Sequence, residues 1–223
     1  MASPCWGAKY VDPTSGNDGN AGTLALPYKS IEYAVESGGD AQIYLLSGTY
    51  GGGELGAATN IWKSGTDHVI TTPANYVIEV YTGQTVIINQ PSDTSSNLFR
   101  LAGNLTIKGA SGTNKLSVTN SSNDATFFAT IQTGLATLLM QDVECDWNNT
   151  AYQVINISQL LNQSNTVQII RCKVKNLTAT HPFIRQNSPQ TTTLLIESSI
   201  FPDVGYIWND GGGWNNELDI EEL

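Results

Sequence analysis

Residues 8–50 read AKYVDPTSGNDGNAGTLALPYKSIEYAVESGGDAQIYLLSGTY, and four local signals succeed one another there. The apolar step at Tyr10 and Val11 predicts a short strand. Asp12 to Gly22 is crowded with Asp, Asn and Gly, residues that tolerate tight turns and positive φ, and predicts a loop. Ile31, Ala34 and Val35 fall at i, i+3 and i+4 behind Pro27, and Gly38-Gly39 stops the pattern. That is a short amphipathic helix with a glycine terminus. QIYLLSGTY, residues 42–50, then predicts a mostly apolar strand closed by a glycine turn. The helix has one apolar face, which the chain beyond it must cover.

Beyond residue 50 the chain is a series of short β-rich runs: YVIEVY (76–81), TVIIN (85–89), LTIKG (105–109), LSVTN (116–120), TLLMQDVECDW (137–147), TVQIIRCKVKN (166–176) and TTLLIESSIF (192–201). Asn, Ser, Gly and Pro clusters separate them, as turns do. Leu139, Ile170 and Ile196 open similar phrases, and Val143, Val174 and Ile200 stand at the i+4 position of each. Phe99, Phe127, Val154 and Phe183 recur at nearly equal steps, a second marker that keeps the same period. A repeat of roughly 28 residues holding two or three strands fits one turn of a solenoid. The alternative, a β-sandwich, would show hairpin signals without this period.

The succession of a strand, VDPTSGNDGNAGT, a proline, a short helix and IYLLSGTY is similar to the N-terminal cap of pectate-lyase-like parallel β-helix proteins. The likeness covers roughly the first fifty residues. It implies an all-β chain: a single-stranded, right-handed parallel β-helix with a short N-terminal capping helix. Residues 1–50 are then the cap, 51–210 the coils and 211–223 an acidic tail that breaks the repeat. The same opening occurs in polysaccharide lyases, glycoside hydrolases, surface proteins and phage tail and capsid components, so it does not choose among functions.

Composition narrows the classes. Only 13% of residues are charged, and 20 acidic residues against 10 basic ones give a net charge of -10. No basic run exists to meet nucleic-acid phosphates. The opening MASPCWGAKY lacks a positive n-region followed by an apolar h-region, and no stretch approaches the roughly 18 apolar residues of a membrane span. Cys5, Cys145 and Cys172 form no metal-site spacing, and Cys145 and Cys172, both inward but four residues out of alignment, are expected to be buried thiols.

Chemistry-bearing residues are few. QDVECDW places Asp142, Glu144 and Asp146 on one outward face. Aligning Val143 with Val174 sets Asp142 beside Lys173 and Glu144 beside Lys175, so paired charges are favoured over a calcium or acid/base site, with Asp146 left over. Asp12, Asn17, Asp18 and Asn20 offer oxygen ligands within nine residues, yet a tight turn wants the same residues. By resemblance, lyase chemistry on this fold needs a base beside calcium-bound acids; the arginines are Arg100, Arg171 and Arg185 and the histidines His68 and His181. Arg171 is expected to face outward near Asp142. Glycosidase chemistry needs two carboxyls across a cleft, and no such pair recurs in register. Trp62, Trp147, Trp208 and Trp214 lie near turns or strand ends, where rings can stack on sugars or fill the core. Sequons at Asn104, Asn120, Asn148, Asn156, Asn162 and Asn176 are read as supports for hydrogen bonding between coils. Leu218, Ile220 and Leu223 alternate in the tail, which either covers the last coil or docks on a neighbouring subunit.

The sequence assigns no catalytic residue, no cofactor and no metal ligand. It favours a non-enzymatic structural or adhesive protein, a bacteriophage virion component such as a head decoration, tail fibre or spike. The expected partners are other virion proteins, copies of itself such as a homotrimer, or a glycan, and neither nucleic acid nor membrane. The alternatives are a polysaccharide lyase or glycoside hydrolase acting on extracellular or capsular glycan, and a carbohydrate-binding module.

Overall fold

The structure is a computed structural model that describes residues 7–37, 42–51, 70–72, 75–90, 98–101, 103–109, 116–120, 128–131, 136–147, 153–158, 164–177, 181–187, 192–202, 204, 206–209 and 218–222. Among the described residues one helix, α1 (Ile31–Ser37), lies between the first strand and the others, and the strands fall into three sheets. The first sheet holds, in spatial order, β1 (Lys9–Val11), β2 (Gln42–Leu45), β5 (Tyr76–Val80), β8 (Leu105–Lys108), β11 (Thr137–Gln141), β14 (Asn165–Ile170), β17 (Thr192–Glu197) and β19 (Leu218–Glu222). The second holds β3 (Gly48–Gly51), β6 (Val86–Gln90), β9 (Leu116–Asn120), β12 (Val143–Asp146) and β15 (Lys173–Lys175). The third holds β4 (Ile70–Thr72), β7 (Phe99–Leu101), β10 (Ala129–Ile131), β13 (Ile155–Ile157), β16 (Pro182–Gln186) and β18 (Tyr206–Asn209). Every strand pairing in them is parallel, each to the equivalent strand one winding away. The chain is a right-handed parallel β-helix.

Strand alternation sends every second side chain inward. Ile43, Ile78, Ile107, Met140, Ile169 and Ile196 stand level on successive windings and form one column along the axis. The first five are completely buried, and each removes an aliphatic side chain from water, worth about 1.5–3 kcal/mol. Phe128, Val154 and Phe183 form a corner column: the Phe128 N–H donates to Val154 (2.8 Å) and the Val154 N–H to Phe183 (3.1 Å).

The column corrects the register expected from sequence. Leu139 and Ile170 point outward, and the inward residues are their neighbours Leu138, Met140, Val167 and Ile169. Val174 stands level with Cys145, and Val143 with Leu116 of the preceding coil, so the Val143–Val174 alignment is two residues out. A two-residue slip keeps every side chain on its own face, so hydrophobic pattern alone does not resist it. Phe127, one of the periodic positions, lies outside the described residues; Phe128 occupies the corner, its ring 5.4 Å from that of Phe99. The acidic tail adds one more rung, with Ile220 level with Leu194.

The N-terminal cap agrees with its reading. Ile31, Ala34 and Val35 are buried, and the Ser30 hydroxyl accepts the Tyr33 N–H (3.2 Å) as an N-cap. The expected stop at Gly38-Gly39 lies outside the described residues. Tyr76 closes the helix onto the first sheet by donating its hydroxyl to the Val35 carbonyl (2.8 Å), and Tyr50 donates to Val11 (2.7 Å). The outer edge of β1 is occupied: the Tyr10 N–H donates to Gly22 and the Tyr28 N–H to Tyr10, both at 2.9 Å.

The Asp-rich loop is spent on itself. Asp12 accepts the Thr14 and Ser15 N–H groups (2.8 and 3.1 Å) and the Ser15 hydroxyl. Asp18 accepts the Lys29 and Ser30 N–H groups and the Ser30 hydroxyl, all at 2.9 Å. These carboxylates are turn and helix caps, the structural side of the sequence reading. Burial opposes ionisation of Asp12, but the hydrogen bonds from Ser15 and Thr14 outweigh it and hold the carboxyl below its ordinary 3.8. A lowered carboxylate pKa contributes stability above the unfolded value and loses it as pH falls through the folded one. Asp12→Asn is therefore expected to shorten the fall in the urea midpoint when the protein is acidified below about pH 4. An acid limb identical to wild type would remove Asp12 from the account.

Candidate functional site

The corner between the first and second sheets is a tight turn of one or two residues repeated on successive coils. Asp142, Arg171 and Ser198 occupy it with φ of 55°, 50° and 48°. Gly109 holds the corner one coil earlier, where a Cβ would strike the Asp142 carbonyl oxygen. Asp142 therefore lies in a turn, off the strand face on which sequence placed it. Arg171 sits directly above and donates Nε to Oδ1 and Nη2 to Oδ2 of Asp142, both at 2.8 Å, a bidentate pair. Those hydrogen bonds raise the Arg171 guanidinium pKa further. The two groups expected to share a site are committed to each other.

The rest of the acidic strand is committed likewise. The shifted register sets Glu144 beside Lys173 and Asp146 beside Lys175. The Lys175 ammonium lies 2.8 Å from Glu144 and 3.2 Å from Asp146, and Asn176 donates its amide to Asp146 (2.8 Å). Hydrogen bonding to both carboxylates raises the Lys175 pKa. Asp146, expected to be left over, is thus doubly engaged. Among the described residues no three of His, Cys, Asp and Glu gather as a metal would need.

Trp147 is fully buried, and Trp208 packs half-buried against the core, so neither is an exposed platform. Trp62, Trp214 and His68 lie outside the described residues. Cys145 and Cys172 are buried free thiols; burial pushes the Cys172 thiol up to about 11, which keeps it unreactive. On the ladder the two are two residues out of step, where sequence suggests four. Cross-coil asparagine bonds are present as expected: the Asn104 amide oxygen accepts the Thr137 N–H (2.9 Å).

The third sheet carries the row that sequence reasoning missed. Arg100, Thr130, Asn156 and Arg185 are level on four successive strands, with Asn209 next. Phe99, Leu101, Ala129, Ile131, Ile155, Ile157, Ile184 and Gln186 flank them inward, so alternation aims the row outward. At about 4.8 Å per strand, Arg100 and Arg185 stand about 14 Å apart. Thr130 and Asn156 are nearly sealed, at 1% and 8% exposure, while Arg185 is exposed. Arg100 is half-buried, and its Nε, like the Thr130 hydroxyl, is buried without a hydrogen-bond partner. Asn187 donates its amide to the Asn156 Oδ1 (2.9 Å), so the Asn156 oxygen is occupied and its Nδ2 is the group left to donate elsewhere. Among the described residues no carboxylate is paired with Arg100 or Arg185.

An unpaired buried donor costs about 1–3 kcal/mol, and such groups in folded proteins call for a reason. The row is rich in donors: guanidinium groups only donate, and the Asn156 amide is held with its oxygen occupied. It is also cationic on a chain of net charge -10. Chemically it suits an extended ligand that carries carboxylates along its length. The signal for it is present in LFRLAG and PFIRQN, each with one arginine between inward residues.

The chain is 36% identical over 96 residues to a pectate lyase of Emericella nidulans, a match covering 40% of this chain and 21% of that protein. The matched part spans about a fifth of the relative's length. No family model and no solved structure matches the chain. Three all-parallel sheets wound coil on coil, with a capping helix and this likeness, make the chain a pectate-lyase-like parallel β-helix.

Proposed function

We propose that the chain binds an acidic polysaccharide lengthwise along the outer face of the third sheet, with Arg100 and Arg185 holding its carboxylates. The observation that carries this reading is the row Arg100–Thr130–Asn156–Arg185, whose two arginines have no carboxylate partner among the described residues. Such binding keeps the adhesive role expected from sequence. It is tested by affinity electrophoresis in polygalacturonate and in a neutral galactan. Retention by the acidic polymer alone, released by salt, is expected; equal mobility in both gels sinks the reading.

A second reading is favoured by the likeness to a pectate lyase: the bound glycan is cleaved by β-elimination, with a carboxylate neutralised by arginine so that the neighbouring carbon gives up its proton more readily. Ultraviolet absorbance of unsaturated chain ends, accumulating through many turnovers, would move the chain to this class. Assembly into a virion is a separate proposal, tested by looking for the chain in purified particles.

A further inference from the structure

We infer that Asn187 is a positioning residue for glycan recognition, one that acts by fixing the orientation of the Asn156 amide. The inference rests on the glycan-binding reading and goes beyond it in naming how the middle of the row is kept donating. Asn156 lies between Thr130 and Arg185 on the ladder. A primary amide presents either its oxygen or its two N–H groups to a ligand, and a half-turn about its last bond exchanges them. An oxygen facing outward there would oppose a carboxylate in the space between two donors. The choice is made from the neighbouring coil: the Asn187 Nδ2 donates to the Asn156 Oδ1 at 2.9 Å. Asn187 is itself well placed to do this. Its backbone N–H continues the ladder by donating to the Ile157 carbonyl (2.8 Å), so the donor is anchored while its side chain stays exposed at the end of β16.

The consequence is a coupling between two residues of which only Asn156 needs to touch the ligand. Losing the Asn187 amide frees Asn156 to turn. Asn187→Asp goes further: a carboxylate accepts only, so it draws the Asn156 N–H groups toward itself and turns the oxygen outward.

The experiment is a double-mutant cycle on the full chain, read as affinity for polygalacturonate oligomers alongside the melting temperature. Asn187→Ala is expected to weaken binding about three- to tenfold, Asn187→Asp more, and Asn156→Ala about as much as Asn187→Ala. In the Asn156→Ala background, Asn187→Ala is expected to add no further loss. Independent, multiplying losses overturn the inference, because Asn187 would then act directly. A lowered melting temperature with unchanged affinity overturns it also, since Asn187 would then serve the fold alone. If Arg100→Leu abolishes binding and both Asn187 variants bind as wild type, this inference fails while the glycan-binding reading stands. If the wild-type chain does not bind the oligomers, both fall.

Discussion

Trp147→Ala is expected to cost about 3–5 kcal/mol of stability, a large share of what a single domain possesses. Trp147 is completely buried at the end of β12, where its backbone N–H donates to the Lys175 carbonyl (3.1 Å) of the next coil. Its side chain is among the largest fully buried ones, so truncation opens a large void. Trp147→Phe isolates a different quantity. The indole Nε1 is buried with no hydrogen-bond partner, so the phenyl ring leaves a smaller void and removes an unsatisfied donor. The loss should fall below about 2 kcal/mol. Urea unfolding of both variants checks the pair; equal losses would mean that the ring's volume is not what the site uses.

The arginine row predicts the largest functional effect. Arg100→Leu combined with Arg185→Leu is expected to lower the affinity for polygalacturonate at least about a hundredfold, from two charge-assisted hydrogen bonds worth about 1.5–3 kcal/mol each, at about 1.4 kcal/mol per tenfold. Stability should move the other way. Arg100→Leu removes a buried Nε without a partner, so the melting temperature is expected to hold or rise. Binding lost while stability is kept is the signature of a residue retained for a ligand. A lower melting temperature with unchanged affinity would make Arg100 part of the scaffold instead.

The sequence discloses the cap and the winding far better than the row. The cap is written in largely local chemistry: Ser30 before an i, i+3, i+4 apolar face, Asp12 capping amides two and three residues on, and Asp18 reaching across the loop to the start of the helix. The winding shows as a period, but that period is an average over coils of unequal length. Steps as different as Ile43 to Ile78 and Ile169 to Ile196 let Val143 be matched to Val174, whose true neighbour is Cys145. The two-residue error preserves inside and outside, so it leaves the core right; Glu144 still meets Lys175 as expected, while Asp142 pairs with Arg171 and not with Lys173. Arg171, expected near Asp142, does meet it, but in a corner whose left-handed backbone no strand pattern announces. Arg100 and Arg185 belong to windings far apart in the chain, and their alignment exists only once three successive registers are known.

Sheet partners throughout lie about one winding apart in sequence, as Ile78 does from Ile107 and Val167 from Leu194. Order in such a chain spreads from each winding to the next, as in a one-dimensional array of coupled units. A defect should accordingly stay near its own winding, and amide exchange after a single core lesion should rise most in the adjoining strands and decay along the axis.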